Sequence, residues 1–333
     1  MNAKSRPATL NPGDGSISQT TWRPLRRASV RWTRLLPWFI SAGLLAWLVY
    51  RVSPQELARA TTLVDWPRLA LATVVLVLCL YLWDAVCLSW LFARPGRPLP
   101  YRYALQARGN SYLLGAFNYE LGQGMLAWNI ARVQGIPVVS ALGSCVLLAY
   151  HDIGVLFGLG LLGSLSHADV RLTGVPWVCG AGVGVLAGLP ALAHVLPVTW
   201  SQRLTTTRWG SSLHAWSWRR SRSLVVLRGL YYAVILAYAA AGLHLCGVPL
   251  DYRVVLGVVP LVLLADGLPI SISGLGTREA ALLYLLAPER PAVVLAFSMF
   301  WSTGLVVGRT AIGLAHWGLP ACAAWLAGPG GER

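Results

Sequence analysis

At 333 residues the chain is long enough for two soluble domains, but 56% hydrophobic residues, only 12% charged residues and a mean hydropathy of +0.58 exclude that class. The formal net charge is +15, almost all of it arginine, with Lys4 the sole lysine. These arginines flank apolar runs, which points to membrane topology and anionic lipid headgroups and leaves no nucleic-acid partner expected.

Residues 1–34 form a basic arm, expected to be disordered and cytoplasmic, carrying Arg23, Arg26, Arg27, Arg31 and Arg34. From 35 to 328 the chain reads as one transmembrane domain, followed by a tail at 329–333. Leu35–Tyr50 is a short first apolar run, taken as a retained helix rather than a signal peptide, because the Ala58-Arg59-Ala60 cleavage-like site lies too far beyond it. Leu69–Ala93 is a second span, broken only by Asp84, which reads as a buried packing residue. Tyr103–Ile136 is too polar for one span and reads as two short half-helices meeting near Asn118–Gly124. Val138–Ser164 and Val175–Leu196 are spans, followed by the Arg-rich loop Pro197–Ser223 and the span Leu224–Val248. Val254–Ala287 is broken in its turn, and Val293–Trp317 is a last span holding Arg309. All six Cys lie in or beside apolar runs and read as small buried hydrophobes.

Six spans with two re-entrant hairpins give a consistent charge pattern. With the N-terminus in the cytoplasm, the arm, the 94–102 loop and the 197–223 loop put fifteen Lys or Arg inside. Six Arg (Arg51, Arg59, Arg68, Arg171, Arg253 and Arg290) then lie outside. If either broken segment crossed once, the later loops would swap sides and weaken this bias. Sliding the chain by 154 residues aligns the two broken segments without a gap. Leu121-Gly122 then meets Leu275-Gly276, and Pro137 meets Pro291, Ser144 Ser298 and Gly154 Gly308. The hairpins would enter from opposite faces, giving an all-α helical bundle with an inverted repeat, an arrangement that places substrate between discontinuous helices.

The candidate site residues cluster in the second broken segment. Ser271, Ser273, Gly274 and Gly276 precede a short helix for which Thr277 is a plausible N-cap. A helix N-terminus attracts anions, and Arg278 adds a planar donor set suited to phosphate. Arg278 either contacts such a headgroup or pairs with Glu279 or Asp266 to hold the break. Arg309, alone in its span, is expected to pair with Glu279 or Asp266. Glu120 in the first broken segment is expected to meet a cationic headgroup or accept a proton. Asp152 is expected to pair with Arg108 or Arg132. His151 and Asp152 point about 100° apart on one helix, and no metal-ligand spacing appears. No metal, no cofactor and no catalytic residue is expected.

The run Pro269-Ile270-Ser271-Ile272-Ser273-Gly274-Leu275-Gly276-Thr277-Arg278-Glu279 resembles the P-[IL]-S-x-x-G-L-G-x-R-E signature of a flippase-like family that includes the transmembrane region of bacterial lysylphosphatidylglycerol synthases. Span layout resembles that family over roughly residues 35–320. The first broken segment departs from its pattern: no Arg follows Glu120 until Arg132, and the usual E-R-x-x-D of the next span is reduced to Asp152. The resemblance implies translocation of lipids between leaflets of the cytoplasmic membrane, aminoacylated phospholipid in the best-known members. Members with synthase activity carry a further cytosolic aminoacyl-transfer domain, for which this chain is expected to have no counterpart and hence no enzymatic activity. The expected substrate is a membrane lipid with an anionic headgroup, with a second copy of the chain or a lipid-biosynthesis enzyme kept as partners. An intramembrane lipid-modifying transferase and a non-transporting accessory subunit remain the alternatives.

Overall fold

Asparagine, glycine and proline set where the helices stop, and the apolar runs between them set how the helices pack. The computed structural model describes residues 36–62, 64–94, 97–166, 174–195, 218–267, 274–286 and 290–326. Apart from Leu36 these belong to one compact unit, Pro37–Arg333. Among the described residues there are eleven helices and no strand. They are α1 (Leu36–Val52), α2 (Pro54–Thr62), α3 (Trp66–Leu91), α4 (Tyr101–Phe117), α5 (Tyr119–Gln134) and α6 (Val138–Ser166), then α7 (Val175–Val195), α8 (Trp218–Leu245), α9 (Tyr252–Asp266), α10 (Thr277–Leu286) and α11 (Pro291–Leu326).

Four of these are long and apolar enough to cross a membrane: α3, α6, α8 over Arg220–Leu245, and α11 over Pro291–Trp317. The chain is therefore an all-α, multi-pass membrane protein. The other two expected spans are shorter. The apolar parts of α1 and α7 run over Phe39–Val52 and Val175–Gly188, within 10–17 residues each, and a full crossing takes about 20. The arm 1–34 and the tail 329–333 lie outside the described residues, as does most of the Arg-rich loop. Helix α8 starts at Trp218, earlier than the expected span at Leu224, so that Arg219, Arg220 and Arg222 lie in its first turns.

Both broken segments fold as pairs of packed helices. Between α4 and α5 a single residue, Asn118, is extended at φ −156° and ψ 122°, and its side chain accepts the Leu121 N–H at 3.1 Å. One side chain thus caps the new helix where the old one ends. The two helices can then fold back because Gly122 lies on Gly115: a Cβ at Gly122 would sit 2.7 Å from the Gly115 Cα. Helix α5 ends at Gly135, in the left-handed conformation at φ 61°. In the second pair, Asp251 caps α9 by accepting the Arg253 N–H at 2.9 Å, and α10 resumes after Gly274 and Gly276, both at positive φ.

The two pairs open at opposite ends of the bundle. At one end, Arg97 Nη1 donates to the Gln134 carbonyl at 3.4 Å and Arg220 Nη2 to the Ala93 carbonyl at 3.1 Å. The first pair therefore starts and finishes beside the beginning of α8. At the other end, Arg290 Nη1 donates to the Gly247 carbonyl at 3.2 Å, closing the second pair beside the end of α8.

The repeat extends beyond the aligned hairpins. Adding 154 to the bounds of α3 gives 220–245, which lies within α8, and the same shift carries α4 towards α9, α5 over α10 and α6 onto α11. Helix packing follows the same exchange: α6 lies on α9 as α11 lies on α4, and α3 meets α11 as α8 meets α6. Helix α3 and its equivalent α8 run antiparallel. Thr73 Oγ1 meets Tyr238 Oη at 2.8 Å, and Asp84 Oδ1 meets Arg228 Nη1 at 2.8 Å, so moving forward along α3 means moving back along α8. The repeat is inverted. Small residues let the exchanged pairs approach, with the Gly163 backbone on that of Gly257 and Gly109 under the His316 ring.

Candidate functional site

The tip of the second pair is built around Glu279. Gly276 accepts the Ala280 N–H at 2.9 Å, so Gly276 is the N-cap and Thr277 the first helical residue. This corrects the expectation for Thr277, whose hydroxyl donates instead to the Gly274 carbonyl at 3.0 Å. Glu279, fully buried, reaches back and accepts the Gly276 N–H at 2.6 Å, as the third residue of a capping box does. Its other oxygen accepts the Ser302 hydroxyl at 2.6 Å and that of Ser298 at 3.4 Å. The Gly276 N–H, expected to face a ligand, is thus already bonded. Gly276, at φ 91°, also packs on Leu44 and the Ser41 carbonyl of α1, so that a Cβ there would sit 3.2 Å from Leu44.

Arg278 points the other way. It is 4% exposed and pairs with Asp266, the last residue of α9, so that a charge pair spans the break. Its Nη1 donates to Ser302 Oγ at 3.3 Å, and the guanidinium lies 5.0 Å over the Trp301 ring. Gly274, at φ 73°, lies so close to the Asp266 carboxylate that any side chain there would overlap it. Ser271 and Ser273 lie outside the described residues.

Arg309 meets neither Glu279 nor Asp266, contrary to expectation. Glu279 is occupied by the cap and two serines, and Asp266 by Arg278. Arg309 has no carboxylate partner among the described residues and lies 5.7 Å from the centre of the Tyr112 ring. Arg108 lies 5.1 Å from the same ring, so two cations share one aromatic side chain. Together with Arg278 they line a small cleft of ≈ 70 Å³ between the tips of the two hairpins, closed further by Ser111, Tyr119 and Gln123. Glu120 is exposed beside Tyr119 and is not part of that lining.

Behind the cleft a second charge network ties four helices together. Asp84 of α3, 1% exposed, pairs with Arg108 of α4 and with Arg228 of α8 at 2.8 Å. Arg228 also pairs with Asp152 of α6 and stacks 4.0 Å from the Tyr231 ring. Asp152 therefore takes Arg228, not Arg108 or Arg132, and Arg132 lies over Trp128 instead. Asp84 is the hub of this network, which is more than a packing role. Arg228 carries it yet stood out from the sequence only as an arginine inside an apolar run, the signal that should have marked it. His151 turns away from Asp152, with Nε2 2.9 Å from Ser221 Oγ. Among the described residues no group of three His, Cys, Asp or Glu is placed to hold a metal ion.

The family model for the lysylphosphatidylglycerol synthase TM region matches residues 34–313. No curated protein and no solved structure matches.

Proposed function

The chain belongs to the lysylphosphatidylglycerol synthase TM-region family, and from that premise we propose that it translocates a phospholipid or lipid-linked precursor between leaflets of the bacterial cytoplasmic membrane. It acts as a transporter and not as an enzyme. The observation that carries this reading is the Arg-lined cleft between the tips of two hairpins that open at opposite ends of an inverted repeat. In this reading each hairpin is re-entrant. Helices of 17 and 16 residues rise about 25 Å, short of a hydrocarbon core of about 30 Å. Their tips then lie within the membrane, where an anionic headgroup passing through finds guanidinium groups while its acyl chains stay in lipid. The N-terminus lies in the cytoplasm.

The test is leaflet exchange of a headgroup-labelled lipid in vesicles containing the purified protein. Exchange well above that of protein-free vesicles, and reduced by Arg309→Gln, supports translocation. Exchange no faster than in protein-free vesicles refutes it. Arg309 is the better probe than Arg278, because Arg278 also holds the break closed through Asp266.

A further inference from the structure

The charges around the cleft are unequal in a way that bears on which headgroup enters. Among the described residues four acidic side chains lie inside the bundle, and each has a partner, although Asp266 Oδ1 is buried without a hydrogen bond. Asp84 holds Arg108 and Arg228, Asp152 holds Arg228, and Asp266 holds Arg278. Glu279 holds the Gly276 N–H and two serine hydroxyls. The cleft lining itself contains three guanidinium groups and no carboxylate. Of the three cations, Arg108 and Arg278 are matched by aspartates, and Arg309 is matched by no carboxylate among the described residues.

Resting on the translocation reading above, we propose that this cleft selects a phosphodiester lipid whose head beyond the phosphate is uncharged and hydroxylated, and that it discriminates against lipids bearing an amine, aminoacylated lipids included. One unmatched arginine balances the single charge of a phosphodiester. Arg108, Arg278 and Arg309 can each turn donors towards its oxygens, and Arg278 Nε is buried without a hydrogen-bond partner. A phosphomonoester would bring a second negative charge with no second free cation to meet it. An ammonium group would enter among three cations with no carboxylate to receive it, and such like-charge contact is how sites reject wrong ligands. The neutral groups Ser111, Tyr119 and Gln123 remain for hydroxyls.

Binding to the purified chain in detergent tests this without requiring transport. The probes are short-chain phosphatidylglycerol, phosphatidylethanolamine and lysylphosphatidylglycerol, with inorganic phosphate as a fourth. Phosphatidylglycerol is expected to bind at least about tenfold tighter than either amine lipid and than phosphate, the scale of one charged hydrogen bond. Arg309→Gln is expected to weaken it by about tenfold or more, and Arg309→Lys to weaken it less. Amine lipids binding as tightly as phosphatidylglycerol, or no binding of phosphatidylglycerol, overturns the proposal. Phosphate alone binding as well as the lipid also overturns it, since the ligand is then a free anion. The probe series on the unsubstituted chain decides the matter even if the variants fail to fold. Selective binding without leaflet exchange leaves this inference standing and removes translocation. Exchange without selectivity does the reverse.

Discussion

Arg228→Met removes the cation that serves two buried carboxylates while keeping much of the side chain's length. Asp152 then loses its ion pair, and Asp84 keeps only Arg108. Arg228 is 4% exposed and Asp84 1%, so the groups left behind have little access to water. Breaking a buried pair by removing one partner costs about 3–5 kcal/mol. The upper half of that range is expected here because one guanidinium holds two acids and stacks on Tyr231. That corresponds to roughly a thousandfold or more in the folded-to-unfolded ratio. Adding Asp152→Asn removes one of the stranded charges and is expected to restore about 1–3 kcal/mol. The assay is denaturant unfolding in detergent micelles, followed by the fluorescence of the sixteen tryptophans, with both single substitutions and the double one forming a cycle. Arg253→Met, at an exposed position at the start of α9, serves as the control, expected within about 0.5 kcal/mol of the parent. An Arg228→Met protein as stable as that control, or a double variant no more stable than Arg228→Met, would refute the reasoning.

Gly274→Ala places a methyl group on the Asp266 carboxylate at a residue with φ 73°. Beyond about 1–2 kcal/mol of backbone cost, it should break the pair with Arg278, read as lowered unfolding stability together with lost leaflet exchange. Asn118→Ala removes the cap at the first tip and should cost about 0.5–2 kcal/mol in the same unfolding assay, with Asn118→Asp retaining most of it. In a cysteine-free chain, Arg97→Cys and Arg290→Cys should react with a membrane-impermeant maleimide from opposite sides of the membrane. Labelling of both from one side would contradict the opposed hairpins.

Much of the site's position is legible locally. Asn118 caps the helix three residues into which it reaches, and Gly274 and Gly276 break the second segment because they occupy positive φ. Those signals depend on near neighbours in sequence, so they survive without knowledge of the fold. The repeat is legible from the 154-residue shift. The charge partners are not legible in this way. Arg228 finds its carboxylates 76 and 144 residues away, and Arg108 chooses Asp84 over Asp152. Each choice depends on which face of a helix meets which neighbour, and a rotation of one residue about the axis, about 100°, would change it. Arg309 shows the same limit. From sequence it required a carboxylate, and in the fold it stacks on Tyr112 at the wall of a cleft.

Composition and apolar run length alone establish a helical membrane protein with two broken segments, because a lipid-facing backbone must satisfy itself and only helices do so within one stretch of chain. The pairing of the two halves was decided by tertiary packing, where glycine contacts set α6 on α9 and brought α11 and α4 together in exchange. That packing left three arginines around one cleft and kept the buried carboxylates of the described residues out of its lining. The physical reason is that helix propensity is a property of neighbours along the chain, whereas an uncompensated charge is a property of everything within a few ångströms in space.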